Sequence, residues 1–349
     1  MRALALNQGR KYSMQPKRSF IYILAVLITL PLFGTVAPAT TIDIIQTFDF
    51  PGGTATLPQK ISDQLDLIGT TIISSGERAF LYKVRKQKFS PPINAVFDDV
   101  KASATEGRGI NNKRHCCGDY LDGSDGTFHG YTFRSTLMNE LIFTHFDVTA
   151  ALDTIPLGTN NAGDLAGTAI FSDGSQPGFV SMRGSVTTFA VPDATATFAY
   201  QLNTADEIIG YYIDSNGMAH GYTRDSAGVL IFPIDVPDAT ETLLLGNNDS
   251  NWGVGRYTDT SGVTHALFFV TPDDILTYDY PGATYTSING INKDGLICGY
   301  YNDDAGVSHG FVARVNVTAS GKPNTNTHKA PVKPAYTLPE VSGIAVPAL

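Results

Sequence analysis

The chain has 349 residues and a net charge of −9, with only 16% charged side chains but 34 Gly, 19 Pro, 19 Phe and 16 Tyr. An acidic chain is a poor match for nucleic acid or anionic lipid, which carry charge of the same sign. Short apolar runs between turn residues, with no long 3.6-residue apolar face after residue 40, point to an all-β protein.

The chain opens with Arg2, Arg10, Lys11, Lys17 and Arg18, then an apolar run from Phe20 to Phe33. That run is short for a membrane span, and Pro31 inside it argues against a retained anchor. Ala37-Pro38-Ala39 supplies the small-x-small pattern of a cleavage site. Residues 1–39 therefore read as a signal peptide. The exported chain is expected to begin at Thr40, to be secreted or periplasmic, and to keep no stable membrane span after cleavage.

From residue 40 to 317 one unit recurs six times, over about 44–83, 93–133, 142–181, 187–224, 231–269 and 275–314. An apolar residue followed by Asp opens five copies, at Asp49, Asp98, Asp147, Asp235 and Asp279; the remaining copy has Ala190. Thirteen residues on come Ser62, Asn111, Asn160, Asn203, Asn248 and Asn292, and seven further on Gly69, Gly118, Gly167, Gly210, Gly255 and Gly299. Fixed spacing signals paired backbone; the variable stretch from each Gly to the next copy signals loop.

Three turns can be named in each unit. Pro51-Gly52, Pro192-Asp193, Pro237-Asp238 and Pro281-Gly282 suit the corners of a tight turn. The Asn turns carry Gly163, Asp206, Asn251 or Gly295 where positive φ is tolerated, whereas Leu65 and Arg114 depart from that rule. Asp214 to Gly217, Asp259 to Gly262 and Asp303 to Gly306 form the third. Three turns in units of 43 to 49 residues leave four short antiparallel strands each, the pattern of propeller blades. A parallel β-helix needs shorter coils, and tandem sandwiches need about 100 residues per period. The expected fold is a β-propeller of six four-stranded blades with one sizeable core. A degenerate seventh blade or an open array is left open, and residues 41–46 and 314–317 are candidates for a shared closing blade.

The fourth strand of the unit opens with His-Gly-Tyr at 129–131 and 220–222, His-Ala-Leu at 265–267 and His-Gly-Phe at 309–311. With FDFPG at 48–52, GINKDG at 290–295 and GYYNDDAG at 299–306, this resembles the bacterial extracellular repeat of the HAF type. The resemblance spans residues 44–315 and implies secretion and a propeller-like β repeat, without an activity or a catalytic residue. Arg78-Ala79-Phe80 and Pro177-Gly178-Phe179 depart from it by lacking the His.

The residues that invite chemistry have structural readings beside them. His129, His220, His265 and His309 could converge on an axis and bind a metal; the structural reading is that each ties its strand to a neighbouring turn. The Asp series at 49, 98, 147, 235 and 279 lies just before turns, where carboxylates accept local backbone N–H groups. Cys117 and Cys298 fill a small apolar slot, and a strained vicinal bond between Cys116 and Cys117 is the alternative. The tyrosines after the repeat Gly read as packing, with sugar stacking as the functional alternative. No metal site, cofactor or catalytic constellation stands above the repeat background.

Lys83, Arg85, Lys86 and Lys88 form a basic segment in an acidic chain, within one of two long connections on the Asn-turn face, near 83–94 and 134–141. Arg85, Lys86 and Lys88 are the expected partner-binding residues. Residues 318–349, rich in Pro, Thr, Asn and Lys, read as a disordered tail. The function read from sequence is a secreted binding or interaction module, for a glycan or another envelope component. A lyase or glycoside hydrolase, or a purely structural repeat, are the alternatives.

Overall fold

The fixed intervals arise from strand pairing. The computed structural model describes residues 40–97, 100–135 and 140–317; residues 1–39 and 318–349, on which the expected signal peptide and tail fall, and Asp98 lie outside these described residues. β1 (Thr41–Phe48) comes first. The first group is β2 (Ala55–Ile61), β3 (Asp66–Ile73), β4 (Gly76–Lys83) and β5 (Lys88–Phe89). The short β6 (Val96–Phe97) precedes the second group, β7 (Val100–Ile110), β8 (His115–Asp122), β9 (Phe128–Ser135) and β10 (Leu141–Phe146). The third is β11 (Ala151–Thr159), β12 (Leu165–Phe171), β13 (Gly178–Met182) and β14 (Ser185–Phe189). The fourth is β15 (Ala196–Leu202), β16 (Ile208–Ile213), β17 (Ala219–Arg224) and β18 (Leu230–Ile234). The fifth is β19 (Glu241–Asn247), β20 (Gly253–Thr258), β21 (Thr264–Phe269) and β22 (Ile275–Tyr278). The sixth has β23 (Tyr285–Ile291), β24 (Leu296–Asn302) and β25 (Ser308–Asn316).

Sequence neighbours within each group pair antiparallel, and β1 supplies the outermost strand of the sixth, with Thr41 opposite Asn316. The sheets are thus offset from the repeats: the starts of all repeats but the second form the outer edge of the preceding group, whereas β6, at the start of the second, pairs with β7. The His that opens the fourth strand of a repeat consequently lies on the third strand of its sheet. First strands β2, β7, β11, β15, β19 and β23 neighbour one another in cyclic order, the last beside the first. A 12-stranded sheet arises because single parallel pairs, Thr264 with Tyr285 and Ala55 with Ser308, join three groups at their edges.

Every first strand carries a bulge just before the Asn turn, for example between Ile288 and Gly290. The repeat Gly packs against that kinked strand. A Cβ at Gly299 would collide with the Ser287 carbonyl, as one at Gly210 would with that of Phe198, so only Gly allows the two strands to pair there. The Asn turns share one conformation despite different residues: Leu65 (φ 64°) and Arg114 (φ 59°) are as left-handed as Asp206 (φ 63°).

The apolar core is distributed between groups rather than gathered into one. One cluster sets Val254 and Phe268 of the fifth group against Ile288, Ile297 and Phe311 of the sixth; another sets Cys117 of the second against Leu165 and Phe179 of the third. A twisted four-stranded sheet buries each face on a neighbour, which spreads burial around the ring. Among the described residues no helix is long and apolar enough to cross a membrane.

Candidate functional site

The Asn-turn face is held by side-chain amides passing from group to group. Asn111 Nδ2 donates to the Asn160 carbonyl (2.8 Å), Asn160 to Asn203, Asn203 to Asn248, Asn248 to Asn292 (3.1 Å), and Asn292 to Ser62 (3.3 Å). Each amide oxygen also accepts N–H groups of its own turn, as Asn111 Oδ1 does from Lys113 and His115. Ser62 cannot donate in this way. There Asp63 N–H donates to Asn112 Oδ1 (2.8 Å), and Asn112 Nδ2 returns to the Asp63 carboxylate (2.6 Å). Inside this ring is an axial depression of about 70 Å³, lined by residues that include Asp63, Asn112, Asp249 and Lys293. Its lining also holds Gln201 and Asn247, where Gln201 Oε1 and Asn247 Oδ1 have no hydrogen-bond partner.

On the opposite face the His and Asp series meet. His309 Nδ1 lies 2.8 Å from Asp49, His129 2.8 Å from Asp147, His220 2.8 Å from Asp235, and His265 2.7 Å from Asp279. A tyrosine packs on each imidazole: Tyr120 on His129, Tyr212 on His220, Tyr257 on His265 and Tyr301 on His309. The four imidazoles are each engaged within their own group and do not share a centre. The opening Asp carboxylates reach across to the neighbouring strand, whereas the local Asx turns belong to the third-turn Asp residues. Asp303 Oδ1, for example, accepts from Ala305 and Val307, and that bonding lowers its pKa. Burial works against charge on His129, His265 and His309, but the facing carboxylates outweigh it and raise all three pKa values. Where His is absent, Arg78 donates instead to the carbonyls of Ser75 and Ser103.

A Thr series not singled out in the sequence completes each clasp. The N–H after the opening position, Asp or Ala190, donates to a Thr six residues on: Phe50 to Thr56, Val148 to Thr154, Val191 to Thr197, Val236 to Thr242 and Tyr280 to Thr286. The constant offset was visible in the chain and would have revealed it.

Residues that break the repeat also converge, but inside the ring. Lys60 Nζ donates to the carbonyls of Asn289 on the neighbouring first strand and of Leu245 one strand further on, and lies 4.6 Å from the centre of the Tyr200 ring. Burial pulls its pKa down to about 7. Arg108 bridges Glu106 and Asp119, both at 2.8 Å, while burial pushes both carboxyls up. Asp119 Oδ2 and the Tyr211 hydroxyl lack partners. These positions escaped the sequence reading because each occurs once; only ring closure brings them together. The three cysteines are free and buried. Cys116 and Cys117 face different apolar clusters, and burial pushes Cys117 and Cys298 up to about 12.

Arg85 and Lys86 lie in the single 3-10 turn Val84–Lys86, on the Asn-turn face, where Val84 N–H donates to Leu65 O. Buried Val84 and Phe89, which packs against Phe48, Phe50, Phe80 and Tyr82, anchor the segment. Arg85, Lys86 and Lys88 are exposed, and among the described residues none has a carboxylate within ion-pair distance. The second long connection is described only in part, since residues 136–139 lie outside the described residues.

No protein-family model matches the chain, and no curated protein matches it. Solved structures similar to it include TolB from Acinetobacter baumannii, at 10% identity over 74% of this chain and 56% of that one, TM-score 0.45. AofleA from Arthrobotrys oligospora matches at 9% identity over 80% and 88% of the chains, TM-score 0.50. The β-propeller domain of the Trilobed protease from Pyrococcus furiosus matches at 10% identity over 75% and 83%, TM-score 0.43. This chain spans little more than half of the TolB chain. Likeness at such identity concerns fold alone. The class is a propeller-like, all-β repeat protein. The resemblance to HAF-type repeats rests on the motifs quoted above alone.

Proposed function

We propose that the chain is a six-bladed, HAF-type extracellular propeller, exported with cleavage before Thr40, that binds an anionic envelope polysaccharide through its Asn-turn face. The observation that carries this reading is the exposed, carboxylate-free group Arg85, Lys86 and Lys88 on a chain of net charge −9. Cations without internal partners keep their full attraction for an outside anion, in a field that salt screens over about 10 Å at 0.1 M.

An enzyme of the lyase or hydrolase type would keep its acid and base among Glu106, Asp119 and Lys60. Their side chains are turned inward and engaged with one another or with carbonyls, so binding is the better supported reading. The test is retention on a sulfated polysaccharide, with reducing-end release followed in parallel. Replacing Arg85, Lys86 and Lys88 by Ser should weaken retention about tenfold or more at low salt, flatten its salt dependence and leave unfolding unchanged. Unaltered retention places the contact elsewhere; reducing ends released in proportion to protein replace binding with catalysis.

A further inference from the structure

The second group departs from the other clasps in a way that changes its chemistry. β9 and β10 pair with His145 opposite Tyr131 and Phe146 opposite Gly130, which sets Asp147 opposite His129. Side chains two apart on a strand share a face, so His145 and Asp147 both point toward His129. In the corresponding place the other clasps have Thr47, Pro233 and Thr277. Only this clasp therefore holds two imidazoles against one carboxylate. Asp147 Oδ2 lies 2.8 Å from His129 Nδ1 and 2.9 Å from His145 Nε2, and one ligand atom of each residue lies within 4.8 Å of the others.

We propose that His129, His145 and Asp147 form a binding site for a divalent transition-metal ion such as Zn²⁺ or Ni²⁺. Metal–ligand bonds of about 2.0–2.2 Å require neighbouring donor atoms about 3.0–3.4 Å apart, so the two Asp147–imidazole spacings need to open by only a few tenths of an ångström, and the two imidazole nitrogens already lie within 4.8 Å of each other. Two nitrogens and one carboxylate select a borderline ion over Ca²⁺ or Mg²⁺, which take oxygen. The tautomer is set from behind. Thr127 Oγ1 donates to Asp125 (2.7 Å) and so accepts from His129 Nε2 (2.9 Å), leaving Nδ1 as the ligating nitrogen. His145 and Asp147 are exposed at the rim of the sheet, open to an ion from solvent, and water completes the coordination sphere.

The experiment is calorimetric titration of the full, tag-free chain with Zn²⁺ and separately with Ni²⁺, at pH 7.5 and 5.5. One ion per chain is expected at pH 7.5, with binding much weakened at pH 5.5, where protons compete for the imidazoles. His145→Ala should weaken binding about a hundredfold, and His145→Phe, which keeps the ring packing on Phe97 and Tyr120, should lose binding equally with thermal unfolding of the metal-free protein little changed. His309→Ala, in a clasp with one imidazole, should bind as before. Thr277→His should add a second ion at His265 and Asp279. Absence of binding to the parent chain, or undiminished binding by His145→Ala, overturns the proposal.

Discussion

The two faces of the ring use recurring polar residues for opposite ends. On the Asn-turn face each buried amide reaches the next group, so a residue in one sheet completes the hydrogen bonding of another. On the other face each His reaches the Asp at the outer edge of its own sheet, partly in solvent. The first series determines whether neighbours stay in register around the ring; the second tightens single sheets. The substitutions already present fit this division. Ala190 and Pro177 remove a clasp from the third group without visible compensation, whereas at Ser62 the lost amide bond is replaced by two bonds between Asp63 and Asn112.

Breaking the inner series should have the largest effect. Asn111→Ala removes a buried donor to Asn160 and the part-buried acceptor for two turn N–H groups, and should cost about 2–4 kcal/mol in denaturant unfolding. A cost equal to that of a clasp substitution would erase the distinction between the faces.

Breaking an outer clasp should cost less and depend on pH. Asp279→Ala should cost on the order of 1 kcal/mol near pH 6, with ligand binding intact. Because the folded pKa of His265 is raised, its contribution is complete below the ordinary imidazole value of about 6.5 and fades as pH rises through the folded value. Unfolding curves of parent and variant at pH 6 and 9 should therefore converge at the higher pH; a constant gap would assign the bond no charge.

The smallest effect should come from repairing the inner series. Ser62→Asn places an amide where five other groups carry one, and its oxygen can still accept the Asp66 N–H now held by Ser62 Oγ. A gain of about 0.5–1 kcal/mol in thermal or denaturant unfolding is expected. A loss would show that the first group has settled around the smaller side chain.

The fold was legible where a residue type is demanded by backbone geometry in every copy. The repeat Gly is one such place, since a Cβ there meets a carbonyl, and so is the Asn that caps its own turn. Chemistry confined to one copy was not legible. Lys60, Arg108 and Asp119 look like ordinary strand residues until the ring sets the first strands side by side, and His145 needs the register of β9 and β10 to acquire a partner. Leu65 and Arg114 misled for the opposite reason: their side chains disfavour positive φ, yet turn bonds such as Leu65 N–H to Ser62 O hold them there. The basic segment was legible as charge, but its anchoring by Phe89 was not.

The pairing of β1 with β25 also bears on how the molecule is made. The first described strand to leave the ribosome has its partner among the last residues of the ring, Thr41 against Asn316. It must therefore wait, unpaired, through synthesis of nearly the entire array, and this most non-local of contacts is expected to form late. Residues 55–302 have in-sequence partners and can order progressively, so the final event is a latch rather than a collapse. A chain trimmed to just beyond β1 would lose that latch while keeping every other described strand. Proteolytic trimming at this end would then set how long an otherwise complete ring survives.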